Sequence, residues 1–174
     1  IDFYFQKLLN VYEDQEQDTI SPRLVGLIFH DTLEAIYKPF LNKKINKKDL
    51  LFSLAQIKTS VKDSFIKNNI KDYNKGKGLI LFEVVNKAIK RLIRNEINDI
   101  ELGNEIEIIS LEKKIECELK FNKLKHNVKL RGVIDRLDKR NGIIRIIDYK
   151  TGLIKTNEVT VKTLSSSFDL SHLK

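Results

Sequence analysis

Apolar residues recur every three or four positions in the first part of the chain, then switch to strict alternation. Ser21-Pro22 offers a helix cap with proline at the first helical position, so a helix is expected from Arg23 to about Lys38, stopped near Pro39. Asn46 to about Asn69 reads as a second helix, with Leu50, Leu51, Leu54, Ile57, Val61 and Phe65 along one side. After a loop at Asp72 to Gly78, a third helix runs from Gly78 to about Ile100 and ends near Gly103; Leu79, Phe82, Val85, Ile89, Leu92 and Ile93 set its register. Ile1 to Leu9 reads as a short amphipathic helix or helix end, followed by a polar, acidic connection from Glu13 to Thr19. From Leu111 the period becomes two: Leu111, Lys113, Ile115, Cys117, Leu119 and Phe121 alternate with Glu112, Lys114, Glu116, Glu118 and Lys120. Two β-branched runs around Asn141-Gly142 form a hairpin, and an apolar stretch at Val159 to Leu164 precedes a polar tail. Helices first and a three-stranded antiparallel meander after them make an α+β order. One domain over residues 1–174 is expected, helical over 1–105 and sheet over 106–174.

The hairpin carries the chemistry. With Asn141 and Gly142 as a two-residue turn, Asp135 opposes Asp148, their Cβ atoms about 4.5–5.5 Å apart. Lys150 leaves the same face as Asp148, two residues on. Val133, Leu137, Ile144 and Ile146 complete that face, an apolar surface with two acids and a lysine near one end. Arg136, Asp138, Arg145 and Tyr149 occupy the other, where Asp138 opposes Arg145 as a cross-strand ion pair. Like charges directly opposed destabilise a sheet, so stability alone does not select Asp135 against Asp148. Two carboxylates beside an ammonium suit a hard divalent cation, which takes one or two carboxylates together with water and phosphate oxygens.

Composition narrows the alternatives. The 174 residues suffice for one real core, and no apolar run approaches the ~18–20 residues of a membrane span. No secretory signal opens the chain, and the absence of methionine points to a piece of a longer polypeptide. Cys117 is the sole cysteine, which excludes an internal disulfide and a four-cysteine metal or iron–sulfur site; a cytoplasmic location is the default expectation. The net charge of +8 suits a polyanionic partner. However, 25 of the 32 basic residues are lysine, among abundant Asn and Ile, as an A+T-rich genome gives any protein, so charge alone makes no case for nucleic acid.

An Asp, a hairpin, then Asp-hydrophobic-Lys is the signature of the PD-(D/E)XK nuclease superfamily. The wording Gly132-Val133-Ile134-Asp135-Arg136-Leu137-Asp138 followed by Ile147-Asp148-Tyr149-Lys150-Thr151-Gly152 resembles its RecB-like exonuclease branch of double-strand-break repair. Upstream, Gly26 and His30 with Leu33-Glu34 match the Gly-x-x-x-His…Leu-Glu block of that branch; taken alone, a helical histidine is more often structural than a ligand. The resemblance implies a restriction-endonuclease-like α/β core, with N-terminal helices on a central mixed sheet. It implies Asp135 and Asp148 as metal-binding acids, the Tyr149 carbonyl completing coordination, Lys150 as the catalytic lysine and His30 approaching the metal. The implied cofactor is Mg²⁺ or Mn²⁺, the partners DNA and a helicase domain or subunit, with no membrane.

Other residues weigh less. Glu112 or Glu116 matches an acid found before the hairpin in many members, but a solvated charged face is the preferred reading of both. Glu34 is read as pairing with Lys38 rather than steadying His30. Arg131 and Arg136 flank Asp135 and suit a DNA backbone, although Arg136 falls on the face away from the acids. His126 and His172 read as surface residues. Phe3-Tyr4-Phe5 resembles the Cys-Pro-x-x-Phe-Tyr-Phe opening of some members, but Ile1 and Asp2 stand where the cysteine and proline would, so an iron–sulfur cluster has no support. The Gln-x-x-x-Tyr helix that follows Asp-Tyr-Lys-Thr-Gly in RecB-like nucleases is missing; Leu164 to Leu170 resembles the spacer before it, so truncation there is expected. The leading expectation is a metal-dependent deoxyribonuclease, the exonuclease module of a helicase–nuclease repair protein. Its alternative is a catalytically silent DNA-binding or scaffolding module of the same fold, and a helical interaction protein with an incidental hairpin ranks last.

Overall fold

The computed structural model describes residues 21–119 and 128–152. The expected helix at Ile1 to Leu9, the stretch at Val159 to Leu164, His126 and His172 lie outside them. Three helices, α1 (Pro22–Tyr37), α2 (Lys47–Lys67) and α3 (Gly76–Glu101), pack on a sheet of β1 (Lys43–Ile45), β2 (Ile106–Leu119), β3 (Val128–Arg140) and β4 (Ile143–Ile147). The order β1-β2-β3-β4 is antiparallel at every step. The α+β architecture expected from the sequence is the one observed. The mixed sheet is not: among the described residues its parallel component is a single bridge, Leu41 to Ile108. No described helix is long and apolar enough to cross a membrane.

Local chemistry sets the helix starts. Ser21 Oγ accepts from the Leu24 amide at 3.2 Å. Asn46 and Asp49 form a reciprocal capping box, each side chain accepting the other's amide at 3.0 Å. Gly78 lies in the first turn of α3 because a Cβ there would stand 2.0 Å from the Asp72 carbonyl oxygen.

The core joins Ile28, Leu33 and Tyr37 of α1, Ile57, Val61 and Phe65 of α2, Val85, Ile89 and Ile93 of α3, and Ile106 and Ile108 of β2. Leu51 and Leu79, placed on core faces from periodicity, are exposed; Leu81 is buried in α3 instead. Strand β1 escapes a pattern search because it has three residues, two of them lysines. Those lysines also protect a sheet edge.

The Asn141-Gly142 turn forms as expected, with both residues at positive φ, 51° and 82°. Asp138 pairs with Arg145 and Arg136 with Ile147, which is the register read from the sequence. The two faces differ from expectation. Val133, Ile144 and Ile146 are exposed, whereas Arg136 and Asp138 are buried under α1 and α3.

Candidate active site

Asp135 sits in the central strand β3 and is 8% exposed, an unusual burial for a carboxylate. One oxygen, Oδ2, accepts the Tyr149 amide at 2.6 Å; the other, Oδ1, lies 3.3 Å from His30 Nδ1. Glu112 Oε1 stands 3.6 Å from the same nitrogen. These three residues, His30, Glu112 and Asp135, offer ligand atoms all within 4.8 Å of one another.

Glu112 reaches this point through an irregularity. Pairing of β2 with β3 shifts by one residue between Ile108 and Ser110. Carried on without the shift, the register of Ile106 with Arg140 and Ile108 with Asp138 would place Leu111 opposite Asp135. With it, Leu111 pairs Arg136 and Lys113 pairs Ile134, so Glu112 is the residue facing Asp135. A bulge thus turns an apolar neighbour into an acidic one. Glu112 also has φ 45°, a conformation that costs a non-glycine residue about 1–2 kcal/mol. Burial, then the nearby Asp135, pushes the Glu112 carboxyl above the usual carboxylate range, with His30 opposing. The alternation of β2 puts Glu112 on a charged face, but sequence alone does not register β2 against β3, so its approach to Asp135 emerges only from the structure.

His30 approaches from α1. Its Nε2 lies 2.9 Å from the Tyr149 carbonyl oxygen, which only accepts, so Nε2 carries a proton. In the neutral ring Nδ1 is then a lone pair directed at two carboxylates. Three lone-pair donors converging on one point repel unless a cation or proton lies between them. Two cis ligands of an octahedral ion with bonds of about 2.1 Å sit roughly 3 Å apart, close to the separations here. The residues present therefore fit a divalent cation. Gly26, one turn earlier, lies against the segment after β4: a Cβ there would meet Thr151 Oγ1 at 3.6 Å, an ordinary contact.

Asp148 does not join the three. Strand β4 ends at Ile147, and the Asp148 side chain is 54% exposed, its carboxylate held by Lys150 Nζ at 2.8 Å. That hydrogen bond and the charge of Asp148 raise the Lys150 pKa, which keeps the amine protonated. Tyr149 places its backbone in the site, but its ring turns to the helix side, as its parity predicted. Glu34 forms no ion pair with Lys38 among the described residues. Arg131 is exposed and bound to Glu116 at 3.0 Å. Arg136 is 1% exposed, so it is not a DNA-backbone contact; its guanidinium lies between Glu96 and Asp138, each at 2.6 Å.

No curated protein and no solved structure matches this chain. A family model does, that of the PD-(D/E)XK nuclease superfamily, over residues 1–168. The match takes in every residue of the site just described, and the chain belongs to the PD-(D/E)XK nuclease superfamily.

Proposed function

We propose that this protein is a metal-dependent nuclease that hydrolyses phosphodiester bonds in DNA. The observation that carries the reading is the convergence of His30, Glu112 and Asp135 within a domain of this superfamily. His30, Glu112 and Asp135 would hold Mg²⁺ or Mn²⁺, with the Tyr149 carbonyl beside them. Once bound, the ion acidifies water and draws charge from a phosphoryl oxygen. The Tyr149 amide fixes the Asp135 carboxylate through one oxygen and leaves the other for the ion. His30 keeps its Nε2 proton on the Tyr149 carbonyl, which orients Nδ1 inward. Lys150, held protonated by Asp148, acts as a donor to a water or to a charged phosphate oxygen and not as a base. Asp148 holds Lys150 at 2.8 Å, and its exposed carboxylate would supply a further oxygen to the ion. The matching RecB-like wording supports an exonuclease module of a helicase–nuclease repair protein.

The test is degradation of linear DNA with Mg²⁺ by the protein and by Asp148→Ala and Lys150→Ala variants. Loss of about 10²-fold or more in either variant is expected; full activity in both contradicts the assignment. The exposed position of Asp148 favours one second reading, a DNA-binding or scaffolding module that does not cut. Such a module would bind DNA equally with and without Mg²⁺.

A further inference from the structure

Beneath the site lies a buried charged cluster. Arg136 is bound by Glu96 and Asp138 and stacks over the Tyr37 ring, its guanidinium carbon 4.5 Å from the centroid. Tyr37 donates its hydroxyl to Glu96 at 2.6 Å, and Arg145 Nε donates to Asp138 at 2.9 Å. Two acids balance two arginines, which burial requires. Burial alone would weaken the hold of Arg136 on its proton, but Glu96, Tyr37, Tyr149 and Asp138 together outweigh it and the guanidinium stays charged.

One donor of Arg136 leaves this cluster: Nη1 donates to the Tyr149 hydroxyl at 3.2 Å. Tyr149 lies beyond the end of β4, so no ladder hydrogen bond fixes it. Its ring packs edge-on against Phe29 and His30, centroids 6.2 and 6.1 Å away. Its backbone meets two of the three candidate ligands, the amide on Asp135 and the carbonyl on His30. We infer that Arg136 is a positioning residue of the site: through the Tyr149 hydroxyl it fixes the peptide that sets the spacing of His30 Nδ1 and Asp135 Oδ1. This rests on the metal-site reading above for its consequence, though not for its geometry. The cluster sits on the helix side of the sheet; apart from the β3 backbone that joins Arg136 to Asp135, the side-chain link from Arg136 to the ligands runs through Tyr149.

Tyr149→Phe isolates the link, because it keeps the ring and removes one hydroxyl. Two readouts are taken on the full chain: hydrogen exchange of the amide at position 149, and Mn²⁺ affinity by calorimetry. Exchange at that amide should rise and Mn²⁺ affinity fall by roughly five- to tenfold each, what one hydrogen bond supplies, while β3 amides away from the site keep their protection. Tyr37→Phe, which cuts the hydroxyl bond to Glu96, controls for general loosening and should leave the amide at 149 unchanged. Unaltered exchange in Tyr149→Phe, or an equal rise in Tyr37→Phe, overturns the inference. If the unsubstituted protein binds no Mn²⁺, the metal-site reading fails, and the exchange data alone decide whether Arg136 positions Tyr149.

Discussion

At Glu112 two costs coincide, a left-handed backbone and a carboxylate placed opposite Asp135. Strained residues of this kind gather at functional sites. The strain is separable from the charge. Without metal, Glu112→Gly should be more stable than Glu112→Ala by about 1 kcal/mol in urea unfolding, because glycine accepts positive φ and alanine does not. Equal stability would mean that position 112 is relaxed. Both variants, and Glu112→Gln, should bind Mn²⁺ about tenfold or more weakly, as removal of one ligand of a small set predicts. Unchanged affinity in Glu112→Gln would return this residue to the solvated face that sequence reasoning gave it.

Between elements, two ion-pair systems hold β3 to the helices. Arg136→Met leaves Glu96 without its ion-pair partner and Asp138 with Arg145 alone, and should cost about 3–5 kcal/mol in chemical denaturation. A loss under 1 kcal/mol would mean that water reaches the cluster. At the C-terminal end of α3, Asp99 accepts from Arg140 Nε at 2.8 Å. The hydrogen bond from Arg140 lowers the Asp99 carboxyl below its usual value. The folded form thus binds this proton less readily than the unfolded one. The resulting stability is complete above the ordinary carboxylate pKa and is lost as pH falls through the lowered one. Asp99→Asn should flatten the acid limb of stability against pH; an unchanged limb would place the titration elsewhere.

The same elements explain what the sequence disclosed. The hairpin register was legible because Asn141-Gly142 leaves one geometry and because parity within a strand is rigid. Helix bounds were legible from Ser21-Pro22, Asn46 and Gly103. The bulge before Ser110 was not read: its mark, the change of apolar parity from Ile106 and Ile108 to Leu111 and Ile115, precedes the alternation that starts at Leu111, and with it went the pairing of Glu112 to Asp135. Nor was the buried face: isoleucines at 144 and 146 suggested core, whereas the acids of Glu96 and Asp138 make an arginine the buried residue.

Over the whole molecule, the charge of +8 can assist a polyanionic substrate only through its distribution, which lysine-rich composition does not reveal. If DNA is the substrate, affinity for linear DNA should fall by an order of magnitude or more between low salt and ~0.2 M, through counterion release. Affinity indifferent to salt would assign the lysine excess to composition. The superfamily fold places a bulge, a helix and a strand end around one point, and the central claim is that this point holds a divalent cation. Calorimetric titration with Mn²⁺ of the protein and of Asp135→Asn tests it most directly. Binding of Mn²⁺ to the protein, abolished in a variant that still folds, is the predicted result; no binding, or the same isotherm from both, contradicts it.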